Sequence, residues 1–292
     1  MPASTDASTP VSLIITMSAI CIAGLFLLWH WELGPTARKT VQYSRVRHIA
    51  ASWPYFAAMC ILVVFAAFFA QSLFVQCCKW IHSDFSLNNG FNQMLSQGAF
   101  DIGAIAAVLY ARRFLLVMER LPRLAILAHA QPKPAKPIPL LQAILVGIGV
   151  FCIARTVFIP VAFAWDWLLD RAGAEAASQD LVQIFINETS PARIAALAFI
   201  AVVIAPVTEE AIFRGGLFGY IRTRTQRLIA LIIPSFVFAL VHFNLRVFPL
   251  LFIFGVILSV SYERTGRLTV PIIAHALLNL STILTILLGL AN

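Results

Sequence analysis

Eight runs of apolar residues, each near the length needed to cross a bilayer, set the terms on which this chain can fold. They fall at about residues 11–31, 51–76, 92–116, 140–165, 193–218, 226–243, 246–262 and 268–290. An α-helix rises 1.5 Å per residue, so about 20 such residues span the hydrocarbon core. Inside lipid every backbone N–H and C=O must find its partner within the protein, and runs of this length do so as helices. Composition agrees. The chain is 60% hydrophobic and only 12% charged, against roughly 25% charged residues in soluble domains, and its mean hydropathy is +0.88. The expectation is an all-α, polytopic membrane protein of about eight transmembrane helices.

The basic residues orient it. The net charge of +8 could serve nucleic acid, but its distribution excludes that partner. Arg38, Lys39, Arg45 and Arg47 follow the first run. Arg112, Arg113, Arg120, Arg123, Lys133 and Lys136 follow the third. Arg214, Arg222, Arg224 and Arg227 surround the turn after the fifth, and Arg264 and Arg267 follow the seventh. The alternate loops hold only Lys79, Arg171, Arg193 and Arg246, and Arg155 falls within a run. Such an asymmetry predicts that the basic loops are cytoplasmic and both termini lie outside. Contact with anionic lipid headgroups is the second use of this charge. The expected location is the inner or plasma membrane.

Two connectors divide the chain. Residues 121–139 contain Pro122, Pro132, Pro134, Pro137 and Pro139, a semi-extended cytoplasmic linker. It separates an N-terminal three-helix part, 1–120, from a five-helix part, 140–292. Residues 166–192 form an acidic outer loop with room for a short surface helix, and Asn187-Glu-Thr189 in it fits the glycosylation pattern. The first run lacks the basic flank and small-residue cleavage site of a signal peptide and is expected to be retained. Cys21, Cys60, Cys77, Cys78 and Cys152 show no metal-type or disulfide spacing and read as small buried hydrophobes.

Chemistry concentrates near the C-terminus. His30, His48, His82 and His129 lie at run ends or in loops, whereas His242 and His275 lie within apolar runs. Apart from Asp101, the carboxylates well inside a run are Glu209 and Glu210. Ionisable groups at membrane depth are costly and mark function. Glu209 precedes the turn at Thr225–Gln226 by 16 residues and His242 follows it by 16, so both stand about 24 Å from that turn and can meet. His275 lies only eight residues beyond Arg267, which implies a projecting first hairpin or a deep second turn. Glu210 and Arg214, at i and i+4, form an ion pair, and Glu209, turned about 100° away, faces elsewhere. His275 and Asn279 share a face, and Phe238 lies one turn before His242. Asp101 and Arg155 can line a polar path, but such residues more often pair or snorkel.

Three of these groups, in order, carry a resemblance. Glu209-Glu210-Ala-Ile-Phe-Arg214 resembles the EExxxR motif, Phe238-Ala-Leu-Val-His242 the FxxxH motif and His275-Ala-Leu-Leu-Asn279 the HxxxN motif of the CPBP family. These are the CAAX proteases and bacteriocin-processing enzymes, also called Abi, related to type II CAAX prenyl proteases. The resemblance covers about residues 195–285. It implies an intramembrane endopeptidase in which Glu209 and His242 activate water while His275 and Asn279 stabilise the oxyanion, with Glu210, Arg214 and Phe238 in support. It also implies a peptide or lipidated-peptide substrate, and the need for water together with the basic loops adds the expectation of a site open to the cytoplasm. Zinc stays open at this point. Glu209, His242 and His275 match a His₂Glu set, yet no HExxH requires a metal, and the preferred reading needs no cofactor. A non-catalytic immunity factor or scaffold of the same fold, and a proton-coupled transporter, are the competing classes.

Overall fold

The computed structural model describes residues 11–33, 44–47, 49, 51–118, 136–173 and 180–289. All regular structure among them is helical. Helix α1 is Val11–Leu28, continued by a wider turn over Trp29–Leu33; α2 is Trp53–Ile81, α3 Gly90–Met118 and α4 Leu140–Ala172. A short α5, Asp180–Asn187, precedes α6, the continuous helix Pro191–Arg222. Then come α7, Arg227–Leu240, α8, Phe248–Thr265, and α9, Thr269–Leu287. Six of these, α2, α3, α4, α6, α8 and α9, are long and apolar enough to cross a membrane. The apolar stretches Ile15–Trp31 and Arg227–Leu240 are shorter; the 14 residues of α7 extend only about 21 Å. Of the proline-rich linker only residues 136–139 are described.

Helix α1 packs on α4, and α4 on α9; α2 pairs with α3, which in turn lies along α6. The contacts are close because small residues permit them. A Cβ on Gly103 would lie 2.5 Å from the Ala70 Cβ of α2, and one on Gly255 would lie 2.8 Å from the Ser235 Cβ of α7. Such small-residue seams drive helix association where lipid offers no hydrophobic gain.

The loop ends sort as their charges suggest. Arg222 and Arg227, flanking the α6–α7 turn, both pair with the buried Glu263 near the end of α8, the latter at 2.7 Å. Arg45 hydrogen-bonds the Lys136 carbonyl, and Arg267 that of Ile138. The basic loops therefore converge at one end of the bundle. At the other, Trp165 donates to the Leu245 carbonyl and Arg246 approaches Asp166 at 3.4 Å. Asn187 and Thr189 are exposed beside α5.

Helix α6 is the irregular one. Wider, π-helical turns occupy Ile200–Ile204 and Ala211–Phe218, on either side of the two glutamates. Such turns are frequent at functional sites. The first of them has its cause in Pro206, which has no N–H to give and crowds the preceding turn. Ala205 N–H reaches back five residues to the Ile200 carbonyl. In that register the Ala201 carbonyl would look to residue 206, a proline, and is left without a helical donor.

Candidate active site

Asn279 of α9 fills this gap: its Nδ2 donates to the Ala201 carbonyl at 2.8 Å. The amide expected at the oxyanion thus spends one N–H on tying α9 to the interrupted turn of α6. Its second N–H is not consumed by that bond.

One turn earlier on α9, His275 is buried and stands between the two glutamates. Its Nδ1 lies 2.9 Å from Glu210 Oε1, and its Nε2 lies 3.8 Å from Glu209 Oε2. Glu210 Oε1 also accepts from Arg214 Nη1 at 2.7 Å, and Arg214 reaches the Gly255 carbonyl at 3.4 Å. Glu210 and Arg214 have 0% and 1% side-chain exposure. An Arg-paired carboxylate only accepts, so the proton between Glu210 and His275 sits on Nδ1. The Glu210–Arg214 pair foreseen from spacing is present, and it also orients His275. The expectation that Glu209 and Glu210 face different points needs correcting: both approach opposite nitrogens of one imidazole.

Glu209 is the more open carboxylate, with 25% side-chain exposure. Its Oε2 is buried without a hydrogen-bond partner, so Oε1 is the oxygen left to meet incoming water. At 3.8 Å the Oε2–Nε2 approach exceeds a hydrogen bond.

His242 stands beyond the last residue of α7, in the turn rather than inside the helix. Its Nδ1 lies 2.7 Å from the Phe238 carbonyl, which fixes Nδ1 as the donor and leaves Nε2 for chemistry. The next residue, Phe243, has φ +47°, a left-handed conformation uncommon for a bulky side chain. Phe238 is the hub of the aromatic wall. Its ring lies 4.9 Å from that of His242, 5.9 Å from that of His275 and 4.4 Å from the Arg214 guanidinium carbon. Phe254 adds an edge contact to His275 at 5.4 Å. His242 and His275 are thus joined through Phe238, while the imidazole beside the Glu209 carboxylate is that of His275.

The histidine tautomers suit a metal, since each ring anchors Nδ1 and turns Nε2 away, as ligating histidines do. The positions do not: among the described residues no three His, Cys, Asp or Glu side chains converge closely enough to hold an ion. Glu209, His242 and His275 as placed do not fit a three-ligand zinc site. The turns at the basic end are level, because Arg222 and Arg227 share Glu263. Part of the difference in residue count between Glu209 and His275 is absorbed by the π turns, which fit more residues into a given length. Arg155 of the expected polar path lies 3.7 Å from the Met17 sulfur of α1, away from these groups. Asp101 does reach the site. It is buried on α3 and accepts, through its carbonyl, from Thr208 Oγ1 at 3.3 Å, beside Glu209. A lone carboxylate in the apolar run 92–116 was the available signal.

Known proteins resemble the part of the chain that holds this site. MroQ, a membrane-embedded CAAX protease of Staphylococcus aureus (strain USA300), is 39% identical over 93 residues, 30% of this chain and 38% of that protein. YdiL of Bacillus subtilis (strain 168) is 34% identical over 83 residues, 28% and 34% of the two chains. An uncharacterized 24.3 kDa protein of Escherichia coli is 34% identical over 121 residues, 39% and 55%. The chain thus spans between about a third and just over half of the length of these curated relatives. No solved structure matches it. Residues 191–281, which contain Glu209, Glu210, Arg214, Phe238, His242, His275 and Asn279, match the model of the type II CAAX prenyl endopeptidase, Rce1-like family.

Proposed function

We propose that this chain is an intramembrane endopeptidase that hydrolyses peptide bonds with a water activated by Glu209. The observation that carries the reading is the buried series Arg214, Glu210, His275, with Glu209 on the far nitrogen of the same imidazole. Structural glue would need one such pair. Here one carboxylate, paired with Arg214, holds the histidine and a second, half-open carboxylate faces it.

In this mechanism Glu209 Oε1 removes a proton from water as the oxygen adds to the scissile carbonyl, and returns it to the leaving amine. His242, anchored through Nδ1, presents Nε2 to the same water. The carbonyl oxygen gains negative charge and takes donors from His275 and Asn279. Asn279 uses the N–H not given to Ala201. His275 uses Nε2, which donates when the ring carries both protons. No metal enters these steps. The eight-helix arrangement, with both termini outside and the site open to the cytoplasm, completes the reading. It rests on the basic loops gathered at one end of the bundle. The substrate class is a peptide or lipidated peptide entering from the membrane.

The test incubates purified protein with a library of peptides and lipopeptides, with and without a chelator, reading products by mass spectrometry. Glu209→Ala is expected to lower cleavage by about 10² to 10⁴-fold while leaving thermal unfolding in detergent unchanged. Full activity in Glu209→Ala overturns the proposal. Loss of wild-type activity in chelator, restored by zinc, overturns its metal-free step.

A further inference from the structure

A carboxylate from outside the matched segment stands against the same site. We propose that Asp101 is a positioning residue for Glu209: as a neutral acid it hydrogen-bonds the buried Oε2 and so turns Oε1 toward the attacking water. This rests on the reading of Glu209 as the base.

The argument starts from burial. Asp101 is 3% exposed, too deep to snorkel. Its Oδ1 has one long contact, from Gln97 Nε2 at 3.5 Å, and its Oδ2 is buried with no hydrogen-bond partner. Buried carboxylates are normally paired with a cation or several donors. Neither is supplied by the helices packed on α3. Helix α2 has no Asp, Glu, Lys, Arg or His from Trp53 to Gln76, where Tyr55 and Cys60 are its titratable side chains. Helix α6 brings Glu209 within electrostatic reach, while Glu210 and Arg214 are engaged with each other. The Thr208 hydroxyl binds the Asp101 carbonyl and holds α3 to α6 at this level.

Asp101 Oδ2 and Glu209 Oε2 are thus two buried, unpartnered carboxylate oxygens on side chains within electrostatic reach of each other. Two like charges there are costly, and a single proton held between the groups removes one charge. Carried by Asp101, directly or across one water, that proton satisfies both oxygens. It stays on Asp101 through the reaction, so the proton Glu209 takes from water is a separate one on Oε1. The N-terminal part of the chain then has a role in the chemistry as well as in packing.

The first test needs no substrate and so stands apart from the protease reading. Infrared difference spectra of wild type against Asp101→Asn, both purified at neutral pH, are expected to show the carbonyl stretch of one protonated carboxylic acid, lost in the variant. A spectrum without that band overturns the proposal. The second reads kinetics on whichever peptide is cleaved. Asp101→Asn keeps a neutral donor of the same shape and is expected to lose no more than about threefold in kcat, whereas Asp101→Leu loses about thirtyfold with KM unchanged. Equal loss in both variants, or none in Asp101→Leu, overturns it. Should Asp101→Leu fail to fold, the infrared comparison with Asp101→Asn still decides.

Discussion

Helices α2 and α6 are of similar length and both strongly apolar, yet they do opposite work. In α2, 11% of the most apolar stretch is buried by the rest of the protein; in α6 the share is 39%. Helix α2 presents Phe65, Phe68 and Phe69 outward and is regular throughout. Helix α6 carries Glu209, Glu210 and Arg214, is broken twice by wide turns, and has α3, α7 and α9 around it. The lesson is that mean hydropathy finds a helix that can enter lipid but says little about which neighbours it needs. In hydrocarbon, apolar side chains gain nothing from leaving lipid for protein; polar groups and backbone irregularities must be satisfied by protein. The site is built where those demands are greatest.

Substitutions can break this contrast in order of effect. Arg214→Ala strips the cation from a pair with almost no exposure and leaves Glu210 charged and buried. A loss of about 3–5 kcal/mol is expected, read as a collapse of the thermal unfolding temperature in detergent. A variant of unchanged stability would show that α6 is not organised around this pair. Asn279→Ala orphans the Ala201 carbonyl opposite Pro206 and should cost about 1–3 kcal/mol. Adding Pro206→Ala, which restores an N–H at that turn, is expected to recover part of that stability, and a purely catalytic role for Asn279 predicts no recovery. Phe65→Ala on α2 should change stability by less than about 0.5 kcal/mol, because a side chain that is 68% exposed faces the same surroundings before and after. A large loss there would remove the distinction between the two helices.

Much of this was legible in the chain. The apolar runs near 51–76, 92–116, 140–165, 193–218, 246–262 and 268–290 became long helices, because backbone hydrogen bonding within lipid leaves few choices. The Glu210–Arg214 pair followed from i, i+4 spacing. Other features were not legible. Spacing put Glu209 and His242 at one depth by counting 1.5 Å per residue, but it could not show that the imidazole beside Glu209 is that of His275. That Glu209 and Glu210 approach opposite nitrogens of one imidazole was not visible in their spacing either. The second bond of Asn279 could not be foreseen, since it answers a carbonyl freed 78 residues earlier.

Sequence alone determined that the chain forms apolar helices, which loops carry the positive charge, and which residue types lie at depth near the C-terminus. These are local properties of composition and period. The tertiary structure decided which of the buried groups meet: His275 between two carboxylates, Asn279 on the Ala201 carbonyl, and Asp101 beside Glu209 from a helix about a hundred residues away. No periodicity encodes such meetings, because they depend on how interrupted helices pack to satisfy each other's polar groups.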